Sequence, residues 1–95
     1  MSKLDQITTK IIKEQELIIG PIAWQEAKKV PGIHIINSVS GELTIDADHE
    51  KEIIDTLVGR YERLFGRASR EVCMDAASAL LAGLTPSEIP ASLQH

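Results

Sequence analysis

The run Asp46-Ala47-Asp48-His49-Glu50 sets acidic groups at alternate positions beside an imidazole, an assortment of donors that can ligate a divalent cation. A calcium loop of the EF-hand kind starting at Asp46 needs glycine where Lys51 stands and a bidentate glutamate where Leu57 stands. Both are missing, and a negatively charged helix start accounts for the same residues. His34 sits between Ile33 and Ile35, and no serine or cysteine occurs in a motif that would give it a nucleophile to activate. Cys73, the sole cysteine, has aliphatic neighbours on the inner side of its helical pattern and reads as a buried structural thiol. A glycine-rich phosphate loop, zinc-ligand spacing and a paired-carboxylate arrangement are all absent from the chain. These residues predict a protein that is not an enzyme, with no metal and no cofactor.

Charge is the other chemistry on offer. Six acidic residues lie between Glu42 and Asp55 against the single Lys51, and then Arg60, Arg63, Arg67 and Arg70 follow against the single Glu62. An acidic block therefore gives way at once to a basic one. The net charge of −4 argues against a surface given over wholly to phosphate backbones, although the arginine block suits a local anion contact.

Helices must position these groups. Ser2 and Asp5 are placed to cap a first helix, in which Leu4, Ile7, Ile11, Ile12 and Ile18 recur at helical steps and Lys3, Lys10, Lys13 and Glu14 fall on the other side. It should end near Ile19, because Gly20 takes the left-handed conformation a helix end needs and Pro21 suits the first turn of a new one. The second helix, about Pro21 to Lys29, carries Ile22, Ala23, Ala27 and Val30 with Trp24 beside them, where it is expected to stay exposed, and Pro31-Gly32 stops it. Between Ile33 and Ile45 the apolar period changes, which predicts a small hairpin, I-H-I-I, turn, E-L-T-I, or an irregular loop. Such a hairpin must lie on the helices or pair with another chain. Asp46 or Asp48 is expected to cap a third helix with the stripe Ile53, Ile54, Leu57, Val58, Tyr61, Leu64 and Phe65. A fourth, about Arg67 to Ala82, directs Ala68, Val72, Cys73, Ala76, Ala77, Leu80 and Leu81 inward. Thr85-Pro86-Ser87-Glu88 forms a capping box before a turn or two, and the tail from Ala91 to His95 is expected to fray.

Setting Gly20 on Gly66 brings the halves into step. Ile7 meets Ile53, Ile11 meets Leu57, Ile12 meets Val58, Glu16 meets Glu62, Ile18 meets Leu64, Ile19 meets Phe65 and Ala27 meets Cys73. The predicted fold is a single all-α domain over residues 1–95. It consists of two helix-glycine-helix pairs related by a pseudo-two-fold repeat, with a possible hairpin in the central connection. Hydrophobic content of 43% and charged content of 25% fit a soluble globular protein, and 3% aromatics imply an aliphatic, alanine-rich core. One cysteine, no secretory leader and no apolar run long enough for a bilayer point to a cytoplasmic protein without a membrane span.

Two resemblances bear on function. Leu64-Phe65-Gly66-Arg67-Ala68-Ser69-Arg70-Glu71-Val72 resembles the turn of bacterial helix-turn-helix proteins, which implies a DNA-binding regulator whose recognition helix starts at Arg67. Ser69 and Arg70 would then meet base edges and Arg67 a phosphate, with Arg60 and Arg63 as further anion contacts. One extra residue separates glycine from serine, and Met74 and Asp75 lie beyond Arg70, both departures from that family's pattern. Ile19-Gly20-Pro21-Ile22-Ala23, inside the first thirty residues, resembles the I-G-P-x-A core of a short helical module of bacterial signalling proteins. That likeness implies a noncatalytic module for protein–protein association and carries over no catalytic residue. The leading expectation is thus a self-associating interaction or regulatory module, a homodimer with Trp24, Ile35, Tyr61 and Phe65 as anchors; the alternative is the DNA-binding regulator.

Overall fold

Four helices and one hairpin follow each other in the order α1 (Lys3–Ile19), α2 (Ile22–Lys28), β1 (Ile33–Asn37), β2 (Glu42–Ile45), α3 (Glu50–Phe65) and α4 (Arg67–Leu81). The computed structural model describes residues 3–94, so the expected Ser2 cap lies outside the described residues. Among the described residues no helix is long and apolar enough to cross a membrane. The chain is mostly helical, as its periodicity predicts, with a two-stranded antiparallel sheet where the period changes.

α1 runs antiparallel to α4. Lys3 Nζ near one end reaches the Gly83 carbonyl at 2.9 Å, while Gln15 near the other donates to the Ser69 carbonyl at 2.8 Å. Ile7, Ile11 and Ile12 of α1 and Ile54, Leu57, Val58 and Tyr61 of α3 are wholly or almost wholly excluded from solvent, together with Cys73 and Ala77 of α4. The two helix pairs therefore bury their stripes in one core.

The hairpin lies on α1 along a single stripe of that helix. Ile45 N–H donates to Asp5 Oδ1 at 3.1 Å, Thr9 Oγ1 donates to the Gly41 carbonyl at 2.8 Å, and Lys13 Nζ donates to the Ser40 carbonyl at 3.1 Å. Residues 5, 9 and 13 are one turn apart each, which aligns them with the strand. Gly41 permits this closeness: it has φ +81°, and a Cβ there would stand 2.8 Å from Thr9 Cγ2. The strands pair Ile33 with Ile45 and Ile35 with Leu43, and a bulge between Ile35 and Asn37 precedes the turn. Ile33, Leu43 and Ile45 face the helices, while Ile36 and Val39 stay in solvent.

Four expectations are corrected. Neither Asp46 nor Asp48 caps α3, because a short helical turn over Ala47–His49 intervenes and the Asp46 carboxylate turns back to His34 Nε2 at 2.8 Å. Trp24, expected at the surface, is only 5% exposed, since α2 turns Ala23, Trp24, Glu26 and Ala27 all inward. Ile18, Leu64 and Ala68, expected in the core, are exposed. The tail does not fray over its described part: Ala91–Leu93 make a helical turn, Leu93 and Pro90 are buried, and Ser92 N–H and Oγ both donate to Asp55 Oδ1. His95 lies outside the described residues.

Candidate functional site

Both glycine breaks are bonded in the same way. Gly20 N–H donates to the Glu16 carbonyl at 2.9 Å and Gly66 N–H to the Glu62 carbonyl at 2.8 Å; the two glycine carbonyls then accept from Ala23 N–H at 3.0 Å and Ser69 N–H at 3.1 Å. Each bond of the second set lies 46 residues beyond its counterpart. Gly20 has φ +78° and Gly66 has φ +90° with ψ 178°, a backbone region that only glycine enters at low cost. Gly66 therefore ends α3 outright and turns the chain into α4, which excludes one continuous helix bearing all four arginines.

The two corners meet at one end of the molecule. Tyr61 of α3 donates its hydroxyl to the Ala23 carbonyl at the start of α2, 2.7 Å away, and Gln15 of α1 donates Nε2 to the Ser69 carbonyl at the start of α4. Gln15 and Tyr61 are themselves 46 apart, as are Ala23 and Ser69, and both donors are fully buried. Each half thus places a polar side chain from its first helix onto the first turn of the other half's second helix. Burial pushes the Tyr61 phenol well above its ordinary range. Burial likewise raises the Cys73 thiol to about 11, against the opposing hydrogen bond from Gln15 at 3.3 Å, so Cys73 is protonated and inert at neutral pH.

The outside of this end is apolar. Of the six large apolar side chains that stand in solvent among the described residues, Leu17 (79% exposed), Ile18 (60%), Ile22 (38%) and Leu64 (50%) lie near the two corners, where half-buried Ile19 and Phe65 pack against the core. The reason is local. A helical stripe is covered only where another helix lies opposite, and at a corner the chain turns away. Leu17 and Ile18 also line a groove between α1 and α4 whose other walls are Lys10, Glu14, Val72, Asp75 and Ala76.

The four expected anchors separate. Trp24 and Tyr61 are inside the core, Ile35 and Phe65 are half-buried, and the large apolar side chains exposed near the corners are Leu17, Ile18, Ile22 and Leu64. Aligning Gly20 with Gly66 pairs Ile18 with Leu64, but it carries no sign that these two, Leu17 or Ile22 stand in solvent.

The arginines disperse. Arg60 donates Nε to Glu26 Oε1 at 2.7 Å, and Lys29 holds the other oxygen of that carboxylate at 3.1 Å. The Arg60 bond first, and then the Lys29 bond, keep the Glu26 carboxyl below the ordinary carboxylate range. Arg70 stands 3.7 Å from Glu62, whereas Arg63 and Arg67 are exposed and form no ion pair among the described residues. Ser69 is 5% exposed and its carbonyl is held by Gln15, so it cannot reach a base edge as the helix-turn-helix likeness implies. Glu26 and Gln15 were both missed from the sequence, although Gln15 aligns with Tyr61 in the repeat.

Among the described residues no serine, threonine or cysteine side chain hydrogen-bonds a histidine. The nearest approach is the His34–Asp46 pair, whose side chains are both more than half exposed, with His49 Nδ1 3.5 Å from Glu52. Among the described residues no group of three or more histidines, cysteines and carboxylates could hold a metal ion. Compared with protein-family models, with curated proteins and with solved structures, the chain matches none, so this apolar end must be read from its own residues.

Proposed function

We propose that this domain is a noncatalytic helical module for protein–protein association, of the bacterial signalling kind that its I-G-P-x-A run resembles. The apolar end built from the two glycine corners is the surface that engages the partner. The observation that carries this reading is the clustering of Leu17, Ile18, Ile22 and Leu64 in solvent. Single exposed leucines are ordinary on any protein, but four large apolar side chains exposed within four residues of the two glycine corners are an unusual concentration of the kind a partner covers.

The repeat has a role in this reading. We take the halves to be related by a pseudo-two-fold axis, with matched hydrogen bonds from Gln15 and Tyr61 locking each corner against the other. This interlock keeps the exposed side chains on a rigid base, which lowers the ordering cost of binding. The alternative reading, DNA binding through α4, draws little support, since only Arg63 and Arg67 of its five contact residues are exposed without an internal partner.

The test is retention of partners by immobilised parent protein and by the variant carrying both Ile18→Asp and Leu64→Asp. Loss of specific retention in the variant, with an unchanged circular dichroism spectrum, is the expected result. Equal retention by both proteins would refute the assignment of this surface.

A further inference from the structure

The groove between α1 and α4 has the length of two helical turns. Lys10, Glu14, Leu17 and Ile18 form its α1 wall, and Val72, Asp75 and Ala76 its α4 wall. Lys10 and Ile18 are eight residues apart, about 12 Å along the axis, enough for two turns of a third helix to lie alongside. Leu17 is 79% exposed there, whereas Val72 is half-buried and Ala76 buried. Small residues low in a groove between longer side chains admit the side chains of an added helix.

The charges of the groove do not cancel. Lys10 and Glu14 pair with each other at 3.2 Å. Asp75 is exposed and in no ion pair among the described residues, and one turn before it on α4 comes Glu71, also exposed. Like charges at that spacing repel. Arg67 and Arg70 share a separate depression with Glu71 and Glu62 and do not line this groove. The groove therefore keeps one carboxylate in excess among its apolar side chains.

We propose that this groove takes an amphipathic helix of another protein, with apolar side chains at helical steps against Leu17, Ile18, Val72 and Ala76 and a lysine or arginine on the flank that meets Asp75. This inference rests on the association reading above and names the chemistry of the partner. A helix with no cation would cover Asp75 unpaired, and a lone covered carboxylate is costly. An acidic helix would add a third like charge to Glu71 and Asp75. The net charge of −4 disfavours anionic lipid headgroups and nucleic acid and favours the approach of a basic helix.

The probe is a labelled synthetic peptide of about four turns, with leucines at i, i+3, i+4 and i+7 and lysines on both flanks, beside a matched peptide with glutamate for every lysine. By fluorescence anisotropy the full chain should bind the lysine peptide about tenfold or more tighter than the glutamate one. Asp75→Lys should weaken the lysine peptide by about tenfold, because an attraction becomes a repulsion, and should strengthen the glutamate peptide. Asp48→Lys changes the net charge equally but lies beside Leu4, toward the other end of α1, and should leave the preference in place. Leu17→Ser should weaken the lysine peptide by about tenfold or more. All three sites are exposed, so folding is not at stake.

A parent that does not bind the lysine peptide would overturn the inference. Equal weakening by Asp75→Lys and Asp48→Lys would also overturn it, since net charge alone would then explain the preference. A parent that dimerises in sedimentation equilibrium, is made monomeric by Leu17→Ser and is untouched by excess peptide would overturn it in favour of a second copy. If peptide binding fails while the Ile18→Asp and Leu64→Asp variant still loses its partners, the apolar surface stands and only this partner chemistry falls. If that variant retains partners as the parent does, the association reading itself falls.

Discussion

The matched hydrogen bonds from Gln15 and Tyr61 should respond in opposite ways to removal. Tyr61→Phe deletes a hydroxyl from a fully buried ring and removes its 2.7 Å bond to the Ala23 carbonyl. That carbonyl lies in the first turn of α2, where an amide one turn later also faces it, so the loss should stay near the ordinary value for a buried bond, about 1 kcal/mol. For a domain of this size that lowers the melting temperature by about 4–8 °C. Gln15→Met keeps the length of the side chain and removes two bonds of Nε2, to the Ser69 carbonyl and the weaker one to Cys73 Sγ. It also removes Oε1, a buried oxygen with no hydrogen-bond partner, whose desolvation is worth about 1–3 kcal/mol. The two effects oppose, and Gln15→Met should be neutral or stabilising. Urea unfolding followed by circular dichroism and by the fluorescence of Trp24, the one tryptophan, measures both. If Gln15→Met costs more than Tyr61→Phe, the penalty assigned to the orphan oxygen is wrong and the glutamine is a net contributor to stability.

Three further outcomes follow from the same geometry. Between pH 9 and about 11 the unfolded thiol ionises while the buried Cys73 resists, so the unfolded state holds fewer protons and stability falls as pH rises. The loss from this group should reach roughly 2–3 kcal/mol, and Cys73→Ala should lose less across that window than the parent does. At the acid end, the depressed Glu26 carboxyl contributes stability that is present above the ordinary glutamate value of 4.5 and is lost as pH falls below it. Glu26→Gln should flatten that part of the curve when the urea midpoint is measured against pH. Gly66→Ala should cost about 1–3 kcal/mol although nothing lies within 4 Å of the added methyl, and ordinary surface behaviour in thermal melts would show that the corner is not held by its backbone.

Much of the fold was legible because its signals are local. Gly20-Pro21 and the lone Gly66 break amphipathic runs, and the switch from helical steps to I-H-I-I marks the hairpin. What escaped depends on what lies opposite a residue, which periodicity does not encode. Ile18 and Leu64 continue their stripes in sequence yet stand beyond the last turn that another helix covers. Trp24 belongs to a seven-residue helix that exposes apolar Ile22 and buries charged Glu26, so its neighbours in sequence gave no sign of its depth. The arginines have one regular spacing, but the turn at Gly66 aims Arg60 at Glu26 and Arg70 at Glu62 and leaves only Arg63 and Arg67 outward. The tail's anchor is a single pairing of Ser92 with Asp55 across 37 residues, a relation that no motif announces. Of the candidate surface, only the equivalence of Ile18 and Leu64 could be seen in advance, since their exposure depends on the corners.

The hairpin offers little free edge to a further strand. Three side chains of α1 hold backbone groups at Ile45, Gly41 and Ser40, so the β2 side of the ribbon is committed to its own helix. On the β1 side, the bulge after Ile35 bends the strand once three residues have run straight. A template that short and bent cannot propagate a ladder from chain to chain. Exposed Ile36 and Val39 therefore lie on a ribbon whose free edge runs straight for only three residues, too short a ladder to favour an incoming strand.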